Sequence, residues 1–228
     1  MASRRSSYAE ASRRLSTSYV FVAPLFALYQ FGLLFDPAAR NGTDPIFQRL
    51  FARFRVFGPL VVDLALLGLL LLAIWRTRAQ RLRTPGLYGR MLGESAGWAA
   101  LLLAFAALTT PALLKVSPLM HDLIAGIGAG VYEEVLFRFL VLGGLILLLG
   151  GALGGRPVGV VPFAIVVSAL LFSAAHHTIG GEAWRLPVFL FRALMGVLLG
   201  WIYWARGLGI VVYTHALYNA AVAWLRLQ

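Results

Sequence analysis

The sequence contains no cysteine, and only 13% of its 228 residues are charged. The absence of thiols excludes disulfide bonds, thiolate metal sites and a cysteine nucleophile. Few charges, 60% hydrophobic residues and a mean hydropathy of +0.81 together exclude an ordinary soluble globular domain. The composition therefore predicts a protein that lies mostly in lipid.

Long hydrophobic runs fill most of the chain, without the alternating pattern of a membrane β-barrel. Because backbone groups in lipid must form hydrogen bonds within the protein, continuous runs favour helices. Seven runs have roughly the 20 residues that a spanning helix needs, namely 18–35, 58–75, 92–114, 120–149, 157–177, 186–204 and 207–225. The sequence predicts an all-α fold, a polytopic membrane helix bundle of about seven transmembrane helices.

Acidic residues are also scarce. The chain has nine Asp and Glu residues but 20 Lys and Arg residues, so the net charge is +11. The arginines flank the hydrophobic runs rather than forming one basic surface, which indicates membrane topology and argues against nucleic-acid binding. Arginines before the first span and after the second predict a cytoplasmic amino terminus, although four arginines between residues 40 and 55 would then lie outside. We expect an integral protein of the bacterial inner (plasma) membrane.

The sequence predicts one short tail and one domain. Residues 1–17 are rich in Ser and Arg and are predicted to form a poorly ordered cytoplasmic tail. Residues 18–228 are predicted to form a single transmembrane domain, with its catalytic part in 120–225. Between the first two spans, residues 46–54 carry aromatics and arginines at helical spacing, which predicts an amphipathic helix on the membrane surface.

The fourth predicted span contains three formal charges, those of Glu133, Glu134 and Arg138. A charged side chain at a membrane helix centre costs about 2.5–3.5 kcal/mol on insertion scales. Glu134 and Arg138 are four residues apart and share a helix face, so they are expected to pair. Glu133 is the freer carboxylate of the two.

Two further spans carry polar residues. The fifth ends in His176 and His177, and the seventh contains His215 and Asn219 on one helix face. Because polar groups avoid lipid, we expect all these side chains to converge inside the bundle. A carboxylate beside a histidine can deprotonate water, and a second histidine with an amide can stabilise an oxyanion. This combination of residues predicts hydrolysis of a peptide bond by an activated water.

Two glycine-rich stretches need a separate interpretation. Residues 93–97 match the G-x-S-x-G pattern of hydrolase nucleophile elbows, but that motif requires a strand before its serine, Ser95, and a helix after it. An Arg-rich loop precedes this stretch instead, so a serine nucleophile is not expected. The glycines at 126, 128 and 130 are expected to permit close helix packing.

The polar motifs resemble those of a known family. Glu133-Glu134-x-x-x-Arg138, Phe172-x-x-x-His176 and His215-x-x-x-Asn219 follow one another on successive membrane helices. This order resembles the CPBP (Abi) family of CAAX prenyl endopeptidases and bacteriocin-processing enzymes, which are glutamate-type intramembrane proteases. The resemblance covers roughly residues 122–225.

The resemblance implies a role for each motif residue and implies that no cofactor is needed. Glu133 would be the water-activating base, His176 would assist it, and His215 with Asn219 would form the oxyanion site. Glu134 and Arg138 would be the supporting pair. His177 is an extra imidazole beside the family position, and the sequence favours His176 over it because of the spacing from Phe172. The expected substrate is a membrane-associated protein or peptide.

Three alternatives stay open. A zinc peptidase would use the same Glu and His residues as ligands, although the chain lacks H-E-x-x-H. A membrane transporter or proton relay would also place Glu, His and Arg inside the bilayer, although no inverted repeat is evident. A non-catalytic immunity or scaffold protein would keep the same fold.

Overall fold

The computed structural model of the protein describes residues 7–39, 86–109, 119–153, 158–178 and 182–225, together with residues 67, 68, 71, 72 and 75. The predicted surface helix at 46–54 lies outside these residues. So does the predicted second span at 58–75, apart from the five isolated positions, which are helical.

Seven helices are present in the described ranges, and no strand. They are α1 (Tyr8–Arg13), α2 (Leu15–Phe35), α3 (Leu87–Thr109), α4 (Leu119–Ala152), α5 (Val160–Thr178), α6 (Leu186–Arg206) and α7 (Leu208–Leu225). Helices α2 to α7 are long and apolar enough to cross a membrane. The prediction of an all-α polytopic bundle is therefore confirmed, with six of the seven predicted spans among the described residues.

The predicted boundaries differ from the observed ones by up to five residues. The largest shift is at the start of α3, which begins at Leu87 rather than at residue 92, whereas residues 110–114 lie outside the described ranges. The start of α3 was not predicted because the Arg-rich stretch around it has a lower hydropathy than a lipid-exposed segment. Helix ends are the least predictable part of a helix.

Helix α7 lies at the centre of the bundle. It packs against α2, α3, α4 and α6, and it is the most buried of the six described spans. Its contact with α3 is polar as well as apolar, since Ser95 Oγ donates to Ile210 O at 3.2 Å. Side chains on α7 are therefore held by several neighbouring helices at once.

Close approach of α4 to its neighbours depends on glycine. A Cβ atom added at Gly128 would lie 2.3 Å from the ring of Tyr29 on α2, and one at Gly130 would lie 2.9 Å from the backbone nitrogen of Ala216 on α7. Only a residue without a side chain fits at such contacts. These glycines have the packing role that their spacing predicts.

The middle of α4 is wider than an ordinary α-helix. Residues Glu134–Leu142 form a π-helical segment, in which Gly143 N–H reaches back five residues to Arg138 O. Ser168 of α5 donates to Phe137 O at 2.6 Å within this segment. Single π-helical turns are frequent at functional sites because they re-aim the side chains around them. Here the segment begins directly at the charged residues of α4.

The amino-terminal tail differs from its prediction. Residues 8–13 form a helix rather than a poorly ordered tail, and Ser7 and Glu10 form a capping box that satisfies its first backbone N–H groups. Tyr8 OH donates to Glu94 of α3 at 2.6 Å. This long-range contact holds α1 against the bundle, and the composition of residues 1–17 gave no indication of it.

Candidate active site

Three helices bring the predicted polar residues together inside the bundle. Helix α4 supplies Glu133, Glu134 and Arg138. These three residues are buried, with exposed fractions of only 4%, 0% and 1%. Helix α5 supplies His176 from its last turn, and α7 supplies His215 from its buried middle part. His176 therefore lies near the end of α5, whereas Glu133 and His215 lie near the middle of α4 and α7.

Glu134 is held from two sides. His215 Nδ1 lies 2.7 Å from Glu134 Oε1, and Arg138 Nε lies 3.1 Å from Glu134 Oε2. The second contact is an ion pair whose angles fall short of a hydrogen bond, since both atoms lack a hydrogen-bond partner among the described residues. A buried carboxylate next to a guanidinium keeps its charge, because the opposite charge offsets part of the desolvation cost. Glu134 is thus tethered by both partners.

Arg138 has further contacts that fix its position. Its Nη2 donates to Gly196 O of α6 at 3.4 Å, and its guanidinium carbon lies 4.5 Å from the centroid of the Phe172 ring on α5. A cation over an aromatic face at this distance is attracted by the ring. Arg138 therefore links α4 to both α5 and α6 at the level of the site.

Glu133 has a different environment. No described residue donates a hydrogen bond to its carboxylate, and the nearest nitrogen atoms are His176 Nε2 at 3.7 Å and His215 Nε2 at 4.0 Å. Both distances exceed a direct hydrogen bond. Polar groups separated by this distance are commonly bridged by one water molecule. The carboxylate is buried, flanked by two imidazoles, and able to bind a water.

The hydrogen bonds of the two histidines define their tautomers. His176 Nδ1 lies 2.9 Å from Phe172 O, and a carbonyl only accepts, so Nδ1 carries the hydrogen. His215 Nδ1 lies 2.7 Å from Glu134 Oε1, and because a carboxylate accepts, this nitrogen is assigned the hydrogen as well. In both rings Nε2 is the nitrogen that remains for chemistry, and in both it faces Glu133.

Asn219 lies one turn beyond His215 on α7. Its Nδ2 donates one hydrogen to Gly126 O of α4 at 3.2 Å, which leaves the second hydrogen of the amide available. A Cβ atom at Gly126 would lie 2.9 Å from Asn219 Cβ. The glycine therefore allows the close approach that fixes the amide one turn of α7 away from His215.

Phe172 is a site residue to which the sequence assigned no role. Its ring packs edge-on against His176 at a centroid distance of 4.8 Å and against His215 at 6.3 Å, and it lies beside Arg138. It forms an apolar wall that holds both imidazoles. Its four-residue spacing from His176 was the only available signal.

Comparison with known proteins gives one match. The sequence model of the Rce1-like family, described as Type II CAAX prenyl endopeptidase Rce1-like, matches residues 115–221. This match supports a CPBP-family assignment for residues 115–221. No curated protein and no solved structure shows a significant match. The matched residues contain every predicted site residue, so the CPBP match and the polar site coincide in the same half of the chain.

Within this CPBP region, the structure distinguishes the two adjacent histidines. His176 faces Glu133, whereas His177 faces away from it towards Trp184 at 4.7 Å and Phe189 at 6.1 Å between ring centroids. Adjacent residues on a helix are about 100° apart around its axis, so only one of them can face the carboxylate. His177 belongs to an aromatic cluster beside the site.

Two other sequence features lie outside the CPBP site. Ser95 is buried inside α3 and donates to Met91 O at 2.8 Å, so the strand-to-helix turn of a nucleophile elbow is absent there. In the described part of the chain, no three His, Asp or Glu residues are grouped so that they could hold a metal ion. The helices long and apolar enough to cross a membrane, together with the match to a CAAX-type protease family, support an integral membrane protein.

Proposed function

We propose that the protein is an intramembrane endopeptidase that hydrolyses a peptide bond with a water activated by Glu133. The observation that carries the proposal is the environment of this carboxylate. Glu133 is buried, receives no hydrogen bond from any described residue, and is flanked by His176 Nε2 and His215 Nε2 at 3.7 and 4.0 Å. A buried carboxylate with unused acceptor capacity favours a donor such as water.

In the first step, the water donates a proton to Glu133 while its oxygen attacks the carbonyl carbon of the substrate. A positioned general base of this kind contributes about 10²–10⁴-fold to the rate. His176 assists by accepting a hydrogen bond from the same water at Nε2, because its Nδ1 hydrogen already goes to Phe172 O. A new C–O bond forms and the carbonyl oxygen becomes an oxyanion.

In the second step, His215 and Asn219 stabilise this oxyanion. His215 donates from Nε2, which requires both ring nitrogens to carry hydrogens, and Glu134 stabilises that positive charge through its 2.7 Å contact with Nδ1. Asn219 donates the amide hydrogen that Gly126 O does not use. Donors held in place before the reaction stabilise the developing charge without reorganising.

In the last step, the C–N bond breaks and the leaving nitrogen takes the proton from Glu133. The products are a carboxylic acid and an amine, which become a carboxylate and an ammonium group when the acid passes its proton to the amine, and Glu133 is again ionised. Arg138 takes no part in these transfers. It keeps Glu134 charged and oriented, so that Glu134 in turn orients His215. Glu134 and Arg138 therefore act as the supporting pair.

The proposed substrate is a membrane-associated protein or peptide, since the site lies within helices that span the bilayer. We place the protein in the bacterial inner membrane with its amino terminus in the cytoplasm. Four arginines support this orientation because they lie at one end of the described bundle, namely Arg13, Arg14, Arg90 and Arg206. Cytoplasmic ends of membrane helices are enriched in such residues.

The experiment compares wild type with Glu133→Ala in two stages. Membrane proteins of cells carrying each form are first compared for a protein that accumulates uncut with the variant. The purified proteins are then assayed in proteoliposomes on that protein and on a farnesylated Cys-a-a-X reporter peptide. We expect equal membrane insertion and loss of cleavage by Glu133→Ala. Cleavage by this variant at the wild-type rate would overturn the proposal.

A chelator arm separates this mechanism from the zinc alternative. The wild-type protein is dialysed against a strong chelator and assayed before and after addition of Zn²⁺. The proposed mechanism predicts an unchanged rate in both assays. A rate that disappears on dialysis and returns with zinc would assign the same residues to a metal.

A further inference from the structure

The last turn of α5 carries two histidines with opposite environments. His176 faces the carboxylate of Glu133, and His177 lies in an aromatic cluster with Trp184 and Phe189. Both ring nitrogens of His177 are buried and lack a hydrogen-bond partner among the described residues. Burial of an unpaired polar group costs roughly 1–3 kcal/mol. His177 therefore contributes through the packing of its ring.

The segment of residues 182–185, which we call the strap, directly precedes α6. Glu182 N–H donates to His176 O at 3.3 Å, and the Glu182 carboxylate pairs with Arg192 of α6 at 2.5 Å. Trp184 of the strap packs on His177 at 4.7 Å and on Phe189 at 5.1 Å. The strap thus touches the end of α5 through one backbone bond and one ring contact.

These contacts matter because α5 ends only two residues beyond His176, at Thr178. The last four carbonyl groups of a helix lack intrahelical partners, and terminal turns open more readily than helix centres. The backbone bond from Glu182 satisfies one of these carbonyls, that of His176 itself. Ser173 Oγ adds a second link to the start of α6, since it donates to Phe189 O at 2.7 Å.

We infer that Trp184, packed on His177, is a positioning residue that holds the last turn of α5 so that His176 Nε2 faces Glu133. This inference rests on the proposed function and deepens it. His177 takes no chemical part, and its ring transmits the contact from the strap to the helix. The strap therefore sets the geometry of the site from outside the polar residues.

The inference predicts a specific pattern of activities. Trp184→Ala should lower kcat roughly tenfold to a hundredfold, as expected for a misplaced catalytic group, with little change in KM. Trp184→Phe, which keeps a ring against His177, should restore most of kcat. Trp224→Ala is the matched control, since Trp224 is 58% exposed and Trp184 62%, and it should match wild type.

His177 variants separate packing from chemistry. His177→Phe keeps the ring and removes both unpaired nitrogens, so it should retain kcat, whereas His177→Ala should lose it to the same degree as Trp184→Ala. If Trp184→Ala does not fold, this pair still tests the inference. A His177→Phe protein as inactive as His176→Ala would overturn it, because the nitrogens would then be needed.

Hydrogen exchange gives a readout besides activity. Backbone amides of residues 174–178 should exchange faster in Trp184→Ala than in wild type, and at the wild-type rate in Trp224→Ala and His177→Phe.

Different results would contradict the strap inference and the proposed function. An inactive Glu133→Ala together with a Trp184→Ala of normal kcat and normal exchange contradicts the strap alone. A fully active Glu133→Ala contradicts the proposed function itself.

Discussion

Two regions of the molecule place a glutamate next to an arginine inside membrane helices, and they differ in how the carboxylate is used. At one end of the bundle, Glu94 of α3 pairs with Arg206 of α6. In the candidate site, Glu133 and Glu134 of α4 lie near Arg138. The carboxylates of Glu94 and Glu133 differ in the number of hydrogen-bond donors that each receives.

Glu94 is saturated with donors. Arg206 binds both of its oxygens at 2.5 and 2.9 Å, Tyr8 OH donates at 2.6 Å and Trp98 Nε1 at 3.4 Å. These contacts join α1, α3 and α6. A carboxylate with four donors has no capacity left for a reacting water. The Glu94 cluster therefore has a structural role, which is to connect these three helices; we call it the structural joint.

Glu133 is the opposite case, with no donor within hydrogen-bond distance among the described residues and two imidazoles just beyond it. Its neighbour Glu134 takes the ion pair and the histidine hydrogen bond in its place. The difference teaches that burial of a charge alone does not identify a reactive carboxylate. We propose that the deficit of donors does, because unused acceptor capacity is what binds water.

The largest effect is expected for the residues that we propose activate water. Glu133→Ala and His176→Ala should each lower the cleavage rate by about 10²–10⁴-fold. Because they act on one water, the double variant should lose little more than the worse single variant. Cleavage assays in proteoliposomes measure all three. Losses that multiply in the double variant would show that the two residues act independently.

The next effect concerns the tether. Arg138→Met leaves the buried Glu134 without its cation, and removal of one partner of a buried pair costs about 3–5 kcal/mol. The free energy of unfolding in detergent micelles measures this cost. Adding Glu134→Gln should recover part of the lost stability, since no unpaired charge remains. A double variant less stable than Arg138→Met would contradict the ion pair.

A smaller effect is expected at the structural joint. Glu94→Gln keeps the size of the side chain and weakens the charged hydrogen bonds with Arg206 and Tyr8, so the free energy of unfolding should fall by about 1–3 kcal/mol. Thermal unfolding in micelles provides the measurement. An unchanged unfolding temperature would show that this cluster does not hold α1 and α6 together.

The smallest effect is a pH dependence at Tyr8. Burial and the hydrogen bond to Glu94 raise the pKa of Tyr8 from its ordinary value of 10.0 to about 12. The protonated phenol is therefore favoured in the folded state, and its contribution to stability is complete below pH 10 and decreases as the pH rises towards 12. Unfolding temperatures of wild type should fall over this range relative to Tyr8→Phe. Parallel curves for the two proteins would contradict the contact.

Hydropathy was sufficient to predict most of the fold. The bounds of helices α2 and α4 to α7 differ from those of their predicted spans by at most three residues. The agreement is close because a helix that crosses a bilayer needs a long apolar run. The sequence did not predict α1 as a docked helix, since its contacts with Glu94 and Arg206 join residues far apart in the chain. Nor did it predict the π-helical segment at Glu134–Leu142, because an apolar run has no feature that separates π from α geometry.

The site was predictable in composition and only partly in geometry. Polar residues in lipid-spanning helices mark a common interior, and the four-residue spacing of Glu134 and Arg138 indicated their pairing. The direction of His177 was not predictable, because it depends on the aromatic cluster of Trp184 and Phe189.

The most direct measurement of the central claim compares two matched variants, Glu133→Gln and Glu94→Gln, on one substrate in the same proteoliposomes. Each variant removes one carboxylate charge and keeps the side-chain size. We predict that Glu133→Gln loses about 10²–10⁴-fold in cleavage rate and that Glu94→Gln stays near wild type. Equal losses in the two variants, or normal cleavage by Glu133→Gln, would contradict the claim that the carboxylate without donors is the one that activates water.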